Sequence, residues 1–404
     1  TGTIIRLARQ ALGWNQHELA RRSGYSQPTI SRLERGVSRA ARDVEVLTDL
    51  ATALGIAPSA LGVMPAVPER STLDDVDRRA FLTSTIAVAV SAMLPQNVAS
   101  PGRVGAEDVA QCWTGLRRLF QLDDHHGGGT VYEMASAMAK RLHDALRRST
   151  YTPKIAQDFQ AVTAATMEHA GWLAYDAGRP DAARHWWLET CHLAELANLP
   201  DARVTALTSM ALHATTSGAS REAVGLIAAA RECDGSASPT LLSLLAAREA
   251  VALAQTRDSV GAKKAVAEAR RWLDRGKQAD EPLWLEFWNP ADLACHETRV
   301  AIALGDGRAA ERFARAAVAD SDATQFPRNH AIYEVRLGHV LARIGQLDEA
   351  IAVTGNAVQN AELFSGSRRI MTDLHSTLDL LGRQKHAQAR TFAEAARKIA
   401  PVPA

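Results

Sequence analysis

The chain has 404 residues, 47% apolar and 23% charged, the make-up of a globular protein with room for two or three cores rather than one. Its 46 basic and 45 acidic residues nearly cancel, so the chain as a whole is no polycation. Cys112, Cys191, Cys233 and Cys295 lie far apart with no CxxC spacing, which argues against a zinc module or a disulfide framework and points to reduced thiols.

In chain order, hydrophobic spacing predicts short helices at about 3–12, 16–23, 27–35, 43–54 and 58–62, folding as one unit over residues 1–63. Asn15 caps the second helix, with Glu18 three residues on as in a capping box. Ser26 caps the third, Pro28 sits in its tolerant first turn, and Gly36 ends it. Leu7, Leu12, Leu19, Ala20, Ile30, Leu33, Val46, Leu47, Leu50 and Leu54 recur at helical spacing and supply the core. Over residues 1–42, Arg6, Arg9, Arg21, Arg22, Arg32, Arg35, Arg39 and Arg42 stand against Glu18 and Glu34 alone, a basic head on a neutral body. The third helix carries glutamine, threonine, serine and arginine on its outer face, side chains that reach base edges and phosphates in a DNA major groove.

Residues 64–102 read as a linker with one helix at 77–94. The run Asp77-Arg78-Arg79-Ala80-Phe81-Leu82 resembles a twin-arginine export signal. It is internal, and the apolar stretch after it, about 14 residues, is shorter than the roughly 20 a membrane span needs, so it reads as a buried or docking helix and no membrane is expected. Residues 103–154 read as a helical pair, 105–122 and 130–149, leading into the repeats. The connecting Asp123-Asp124-His125-His126-Gly127-Gly128-Gly129 lacks the Lys-Ser/Thr of a phosphate loop and the spaced third ligand of a zinc site; it reads as an inter-helix loop, with no metal and no cofactor.

From 155 to 404 the chain repeats: a helix, a short turn that often holds glycine, then a second helix with alanine five residues after the turn begins. The copies are Gly178…Ala183, Gly218…Ala223, Gly305…Ala310, Gly345…Ala350 and Gly382…Ala387, with a weaker Arg257…Ala262 that lacks the glycine. Stacked hairpins of this kind make a right-handed solenoid with a concave inner wall. No segment reads as a strand, so the predicted fold is all-α.

Residues 1–63 resemble the lambda-repressor-like helix-turn-helix family of the XRE (Cro/C1) type, since capping, core, turn and contact positions agree together. The resemblance implies that Gln16 bonds a phosphate and that Gln27 lies along an adenine edge. Ser26, Thr29, Ser31 and Arg32 would face the groove, and Arg35, Arg39 and Arg42 would hold phosphates. It also implies an ion pair between Arg9 and Glu34. Pro28 departs from relatives that carry a second base-reading amide there; it can touch a thymine methyl but donates nothing. Residues 155–400 resemble tetratricopeptide-like (TPR) repeats. The order of the two resembles actinobacterial XRE–tetratricopeptide regulators and, more distantly, quorum-sensing regulators that bind short peptides in the repeat groove.

Within the repeats, Trp172, Tyr175, His213, Arg248, Trp284, Trp288, Asn329, Tyr333 and Arg336 are candidate ligand-groove residues, with His169, Glu297, His330 and Asp373 as further polar positions on first helices. Aromatics at helical spacing more often fill a core, so these weigh less than the DNA-facing set. No catalytic triad, HExxH, GxSxG or dinucleotide loop stands out, and no catalytic residue is assigned. The sequence therefore reads as a cytoplasmic homodimeric regulator, not an enzyme. It would bind a double-stranded DNA operator and sense a peptide or small-molecule signal. The competing reading is a DNA-tethered scaffold whose repeats recruit a partner protein.

Overall fold

A computed structural model describes residues 2–38, 43–54, 61, 90, 93–95, 98, 102–233, 238–277, 281, 283–364 and 366–400. Every element among them is a helix, apart from an isolated parallel bridge between Arg103 and Thr150. Two compact units are present: Thr1–Leu122 with Glu133–Thr166, and Asp123–Tyr132 with Met167–Ala404. Most of the predicted 64–102 linker and its helix at 77–94, and most of the predicted helix at 58–62, lie outside the described residues.

In the first unit, α1 (Gly2–Ala11), α2 (Gln16–Ser23), α3 (Gln27–Glu34) and α4 (Val44–Leu54) form the head. Asn15 accepts the Glu18 amide and starts α2; Ser26 accepts the Thr29 amide and starts α3. Gly24 closes α2 with φ 77°, a left-handed value that glycine adopts without strain. The expected capping box is only half made: the Glu18 carboxylate is taken by Arg21 and Arg22, which hold its pKa down to about 2. Ile5, Leu19, Ile30, Leu33, Leu50, Leu54 and Leu61 are buried together. Ile5 and Ala8, not the predicted Leu7, carry the core stripe of α1, because i, i+3 spacing from Ile5 continues through Ala8 towards Leu12.

The same unit takes in most of α5 (Ala106–His126) and α6 (Gly128–Arg148) and the first half of α7 (Pro153–Asp176). Leu116, Leu119, Met138, Leu142, Phe159 and Val162 bury their side chains here. The predicted loop 123–129 is corrected. α5 runs to His126, α6 begins at Gly128, and Gly127 alone makes the turn with φ 73°.

The second unit is built of helical hairpins: the end of α7 with α8 (Pro180–Leu196), α9 (Pro200–Thr216) with α10 (Ser220–Arg231), and α11 (Pro239–Gln255) with α12 (Ser259–Leu273). Then follow α13 (Pro290–Leu304) with α14 (Gly307–Ala319), α15 (Pro327–Ile344) with α16 (Leu347–Gln359), and α17 (Arg368–Gly382) with α18 (Ala387–Ile399). Gly178, Gly218, Gly305 and Gly345 all turn with positive φ, and Ala183, Ala223, Ala262, Ala310 and Ala350 are buried at the helix crossings. Arg257 adopts φ 69° where the other copies place glycine. The last copy departs from the pattern: Gly382 ends α17, the turn is longer, and Ala389 rather than the exposed Ala387 is buried.

In a repeat stack where each hairpin meets only its neighbours, residues 150 positions apart would not touch. Here they do. Arg328 of α15 donates to the Asp123 carboxylate and backbone oxygen and, at 3.2 Å, to Asp176. Asp176 also accepts from Ser367 at 2.7 Å, Arg369 at 3.1 Å and the Gly128 amide at 3.0 Å. Gly128 allows this approach, since a Cβ there would stand 2.4 Å from the Leu173 carbonyl oxygen. The early hairpin is thereby bonded to two late ones.

Candidate nucleic-acid interface and repeat interior

The two faces of α3 divide cleanly. Ile30, Leu33 and Glu34 point inward, while Ser26, Pro28, Arg32 and Arg35 are exposed and Gln27, Thr29 and Ser31 half-buried. Arg9 donates to both oxygens of the buried Glu34, at 2.6 and 3.0 Å, so the implied ion pair is present. Glu34 also accepts from Gln16 at 2.8 Å, and the Gln16 side-chain oxygen accepts from Gln27 at 2.7 Å. Four side chains thus run in series from α1 to the N-terminal end of α3.

Ser26 and Thr29 share a hydroxyl contact at 2.9 Å. Arg32 and Arg35 each turn an Nε–H back to the carbonyl four residues earlier, on Pro28 and Ser31, which steers the rest of the guanidinium along the exposed face. Tyr25, in the turn before α3, donates to Asp49 of α4 at 2.7 Å, and that bond pushes its pKa up to about 12. This ties the α2–α3 turn to the exposed side of α4. Arg39 and Arg42 lie outside the described residues.

The groove candidates separate into two groups. Trp288 is fully buried in the core, donating to Ser243 at 3.0 Å, and the half-buried Trp284 packs on the same cluster; both serve packing. Trp172 is tied to Asp123 at 3.2 Å under the guanidinium of Arg369. Asn329 is half-buried beside Arg328 in sequence, and Glu297 accepts from Arg270 of α12.

Tyr175 meets His213, Tyr333 and Arg336 both reach α13, and Arg248 is buried. The Tyr175 ring stands 5.8 Å from the His213 ring, and its hydroxyl meets Thr216 at 3.1 Å. Tyr333 donates to Asp292, and Arg336 to Cys295, both on α13. Sequence reasoning missed Asp292, Cys295, His296 and Arg299. Their i, i+3, i+4, i+7 spacing along one helix was the available signal. Arg299 crosses to Thr215 of α9 at 3.3 Å. Burial pushes Asp292 up to about 7 against the pull of Tyr333 and Arg336, and it raises Glu168, whose carboxylate accepts from Ser209 at 2.8 Å. Burial brings Arg248 and Arg299 each down to about 10, and each also feels a neighbouring arginine. Among the described residues, no group of three or more His, Cys, Asp or Glu side chains is arranged to hold a metal ion, and no helix is long and apolar enough to cross a membrane.

Residues 5–61 match the Helix-turn-helix family, and the head is of the XRE-type helix-turn-helix class. Among curated proteins, the chain is similar to an uncharacterized HTH-type transcriptional regulator of Mycobacterium tuberculosis strain H37Rv and to one of strain CDC 1551 / Oshkosh. Each is 36% identical over 84 residues, 21% of this chain and 58% of the relative. The chain therefore spans somewhat over half the length of the curated relatives it matches. A solved circular tandem repeat protein with a novel repeat topology and enhanced subunit contact surfaces aligns over 98% of this chain and 95% of its own, at 13% identity and a TM-score of 0.19.

Proposed function

We propose that the chain is a sequence-specific DNA-binding transcriptional regulator. The observation that carries this is α3: a capped helix, buried on one side, that presents Gln27, Thr29, Arg32 and Arg35 along the other within a matched helix-turn-helix region. The names of the two mycobacterial relatives support the same reading. Gln27 and Arg32 read base edges; Ser26, Pro28, Thr29 and Ser31 line the groove; Gln16, Arg35, Arg39 and Arg42 hold phosphates. One head this small buries little DNA, so two chains bind a two-fold operator with half-sites about one helical turn apart. The hairpin unit belongs with TPR-like regulators of actinobacterial type and receives a peptide or small-molecule signal, which shifts the balance between arrangements of the two heads.

Genome-wide footprinting of bound DNA, followed by salt titration on the recovered operator, tests the DNA-binding role. Gln27→Ala should lose discrimination between operator and random DNA with an unchanged salt slope. Arg35→Ala should weaken both and reduce the slope by about 1. No enriched sites, or identical losses from both variants, would count against the proposal.

A further inference from the structure

We propose that Arg248, Arg299 and Arg336, from the first helices of three consecutive hairpins, form an oxyanion site that receives the carboxylate or phosphate of a small ligand; this rests on reading the hairpin unit as signal-binding. Arg248 is 5% exposed, and its Nε and Nη1 have no hydrogen-bonding partner among the described residues. An isolated guanidinium is expensive to bury, and folds rarely leave one unpaired unless a ligand completes it. Arg299 bonds only a hydroxyl, Thr215, in the contacts described. Arg336 bonds the Cys295 sulfur, one turn before Arg299 on the same helix, and stands 3.6 Å from the half-buried Asp373.

The acids of the interior offset this charge only in part: Asp373 stands 3.6 Å from Arg336, and Glu168 attracts Arg248. Glu168 is engaged by Ser209, and Asp292 by the Tyr333 hydroxyl. Burial raises the pKa of both, so each is drawn towards its neutral form. Burial is the main cause that lowers Arg248 and Arg299; Arg299 adds to it at Arg248, and Arg336 adds to it at Arg299. His296 is kept neutral by burial and by Arg299, with its Nε2 buried and unpartnered. The Tyr175 and Thr216 hydroxyls and the His213 ring sit on the facing helices. Three guanidinium groups thus stand on neighbouring first helices, one of them without a hydrogen-bonding partner at two of its nitrogens, and guanidinium forks suit the two oxygens of a carboxylate or phosphate.

The test is thermal unfolding of the full chain at constant ionic strength, in chloride, inorganic phosphate or acetate. Wild type should gain about 5 °C or more, saturably, from phosphate, from acetate or from both, and the pattern separates a phosphate ligand from a carboxylate ligand. Arg248→Gln and Arg299→Gln should abolish that gain while unfolding at or above the wild-type temperature in chloride, since each removes a cation that the interior acids offset only in part. A gain that persists in both variants, no gain over chloride, or variants that unfold well below wild type would overturn the proposal. The last outcome would show that the arginines hold the fold together instead. Operator affinity is measured in parallel. Anion binding that leaves it unchanged keeps this site and removes only the regulatory reading.

Discussion

The Arg328 guanidinium and the Asp176 carboxylate lie 152 residues apart in the chain and 3.2 Å apart in space, with side chains 6% and 0% exposed. Asp123 completes the pair on one side of Arg328, and Ser367 and Arg369 complete Asp176 on the other. Every charge in this cluster is matched by opposite charge or by a donor, the condition under which a buried ionic group is tolerated.

Arg328→Met should therefore be severe. It leaves Asp123 and part of Asp176 buried without their cation, at a cost of about 3–5 kcal/mol. Urea unfolding of the two proteins measures it. A loss below about 1 kcal/mol would mean the cluster is a bystander to the stability of this unit.

Two buried aspartates should give opposite pH dependences. Burial alone would raise Asp176, but Arg328, Arg369, the Gly128 amide and Ser367 together hold it below the ordinary carboxylate value. Its contribution is full above the unfolded value, near pH 4, and is lost as pH falls through the lower folded value. Asp292 is raised to about 7, so the folded chain keeps a proton that the unfolded chain releases. Its contribution is full below about pH 4 and is lost as pH rises to 7. Asp292→Asn keeps an acceptor for Tyr333. It should match wild type near pH 4 and exceed it by up to about 4 kcal/mol at pH 8. Parallel stability curves for the two proteins across that range would refute the assignment.

Gln16→Ala should uncouple reading from folding. The Arg9–Glu34 pair survives it, so stability should change by no more than about 1 kcal/mol. Gln27 loses the partner that orients its amide, and operator discrimination should fall by roughly tenfold. Competition binding against a single-base operator variant reads this, and unchanged discrimination would show that Gln27 needs no such support.

Arg257→Gly should stabilise the chain. A non-glycine residue at φ 69° carries about 1–2 kcal/mol of backbone strain that glycine relieves, partly offset by greater freedom in the unfolded chain. A rise in unfolding temperature of about 2–4 °C is expected. A fall would mean the Arg257 side chain makes a compensating contact.

The local parts of this fold were legible in the sequence. Asn15, Ser26 and Gly36 bound their helices through bonds to residues close by, and glycine and alanine five apart mark a turn and a close crossing in nearly every hairpin. What was hidden is long-range. Asp123 through Gly129 looks like a loop because glycines and polar residues are clustered there. Asp123 is instead the partner of Arg328, 205 residues on, and Gly128 and Gly129 are small because neighbouring backbone passes within reach. Trp288 and Arg336 look alike as groove candidates, yet one fills the core and the other faces the interior; only the packing of adjacent hairpins separates them.

The cluster around Asp176 also sets an order of events during synthesis. Asp176 leaves the ribosome 191 residues before Ser367 and 193 before Arg369, an interval of about 10–40 s at ordinary elongation rates. Throughout that interval the carboxylate must stay in water, because the cation and hydroxyl that permit its burial do not yet exist. The early hairpin can become helical as it emerges, but its final seat has to wait for the late ones. Nascent chains halted before residue 328 should therefore carry an open first hairpin within reach of chaperones.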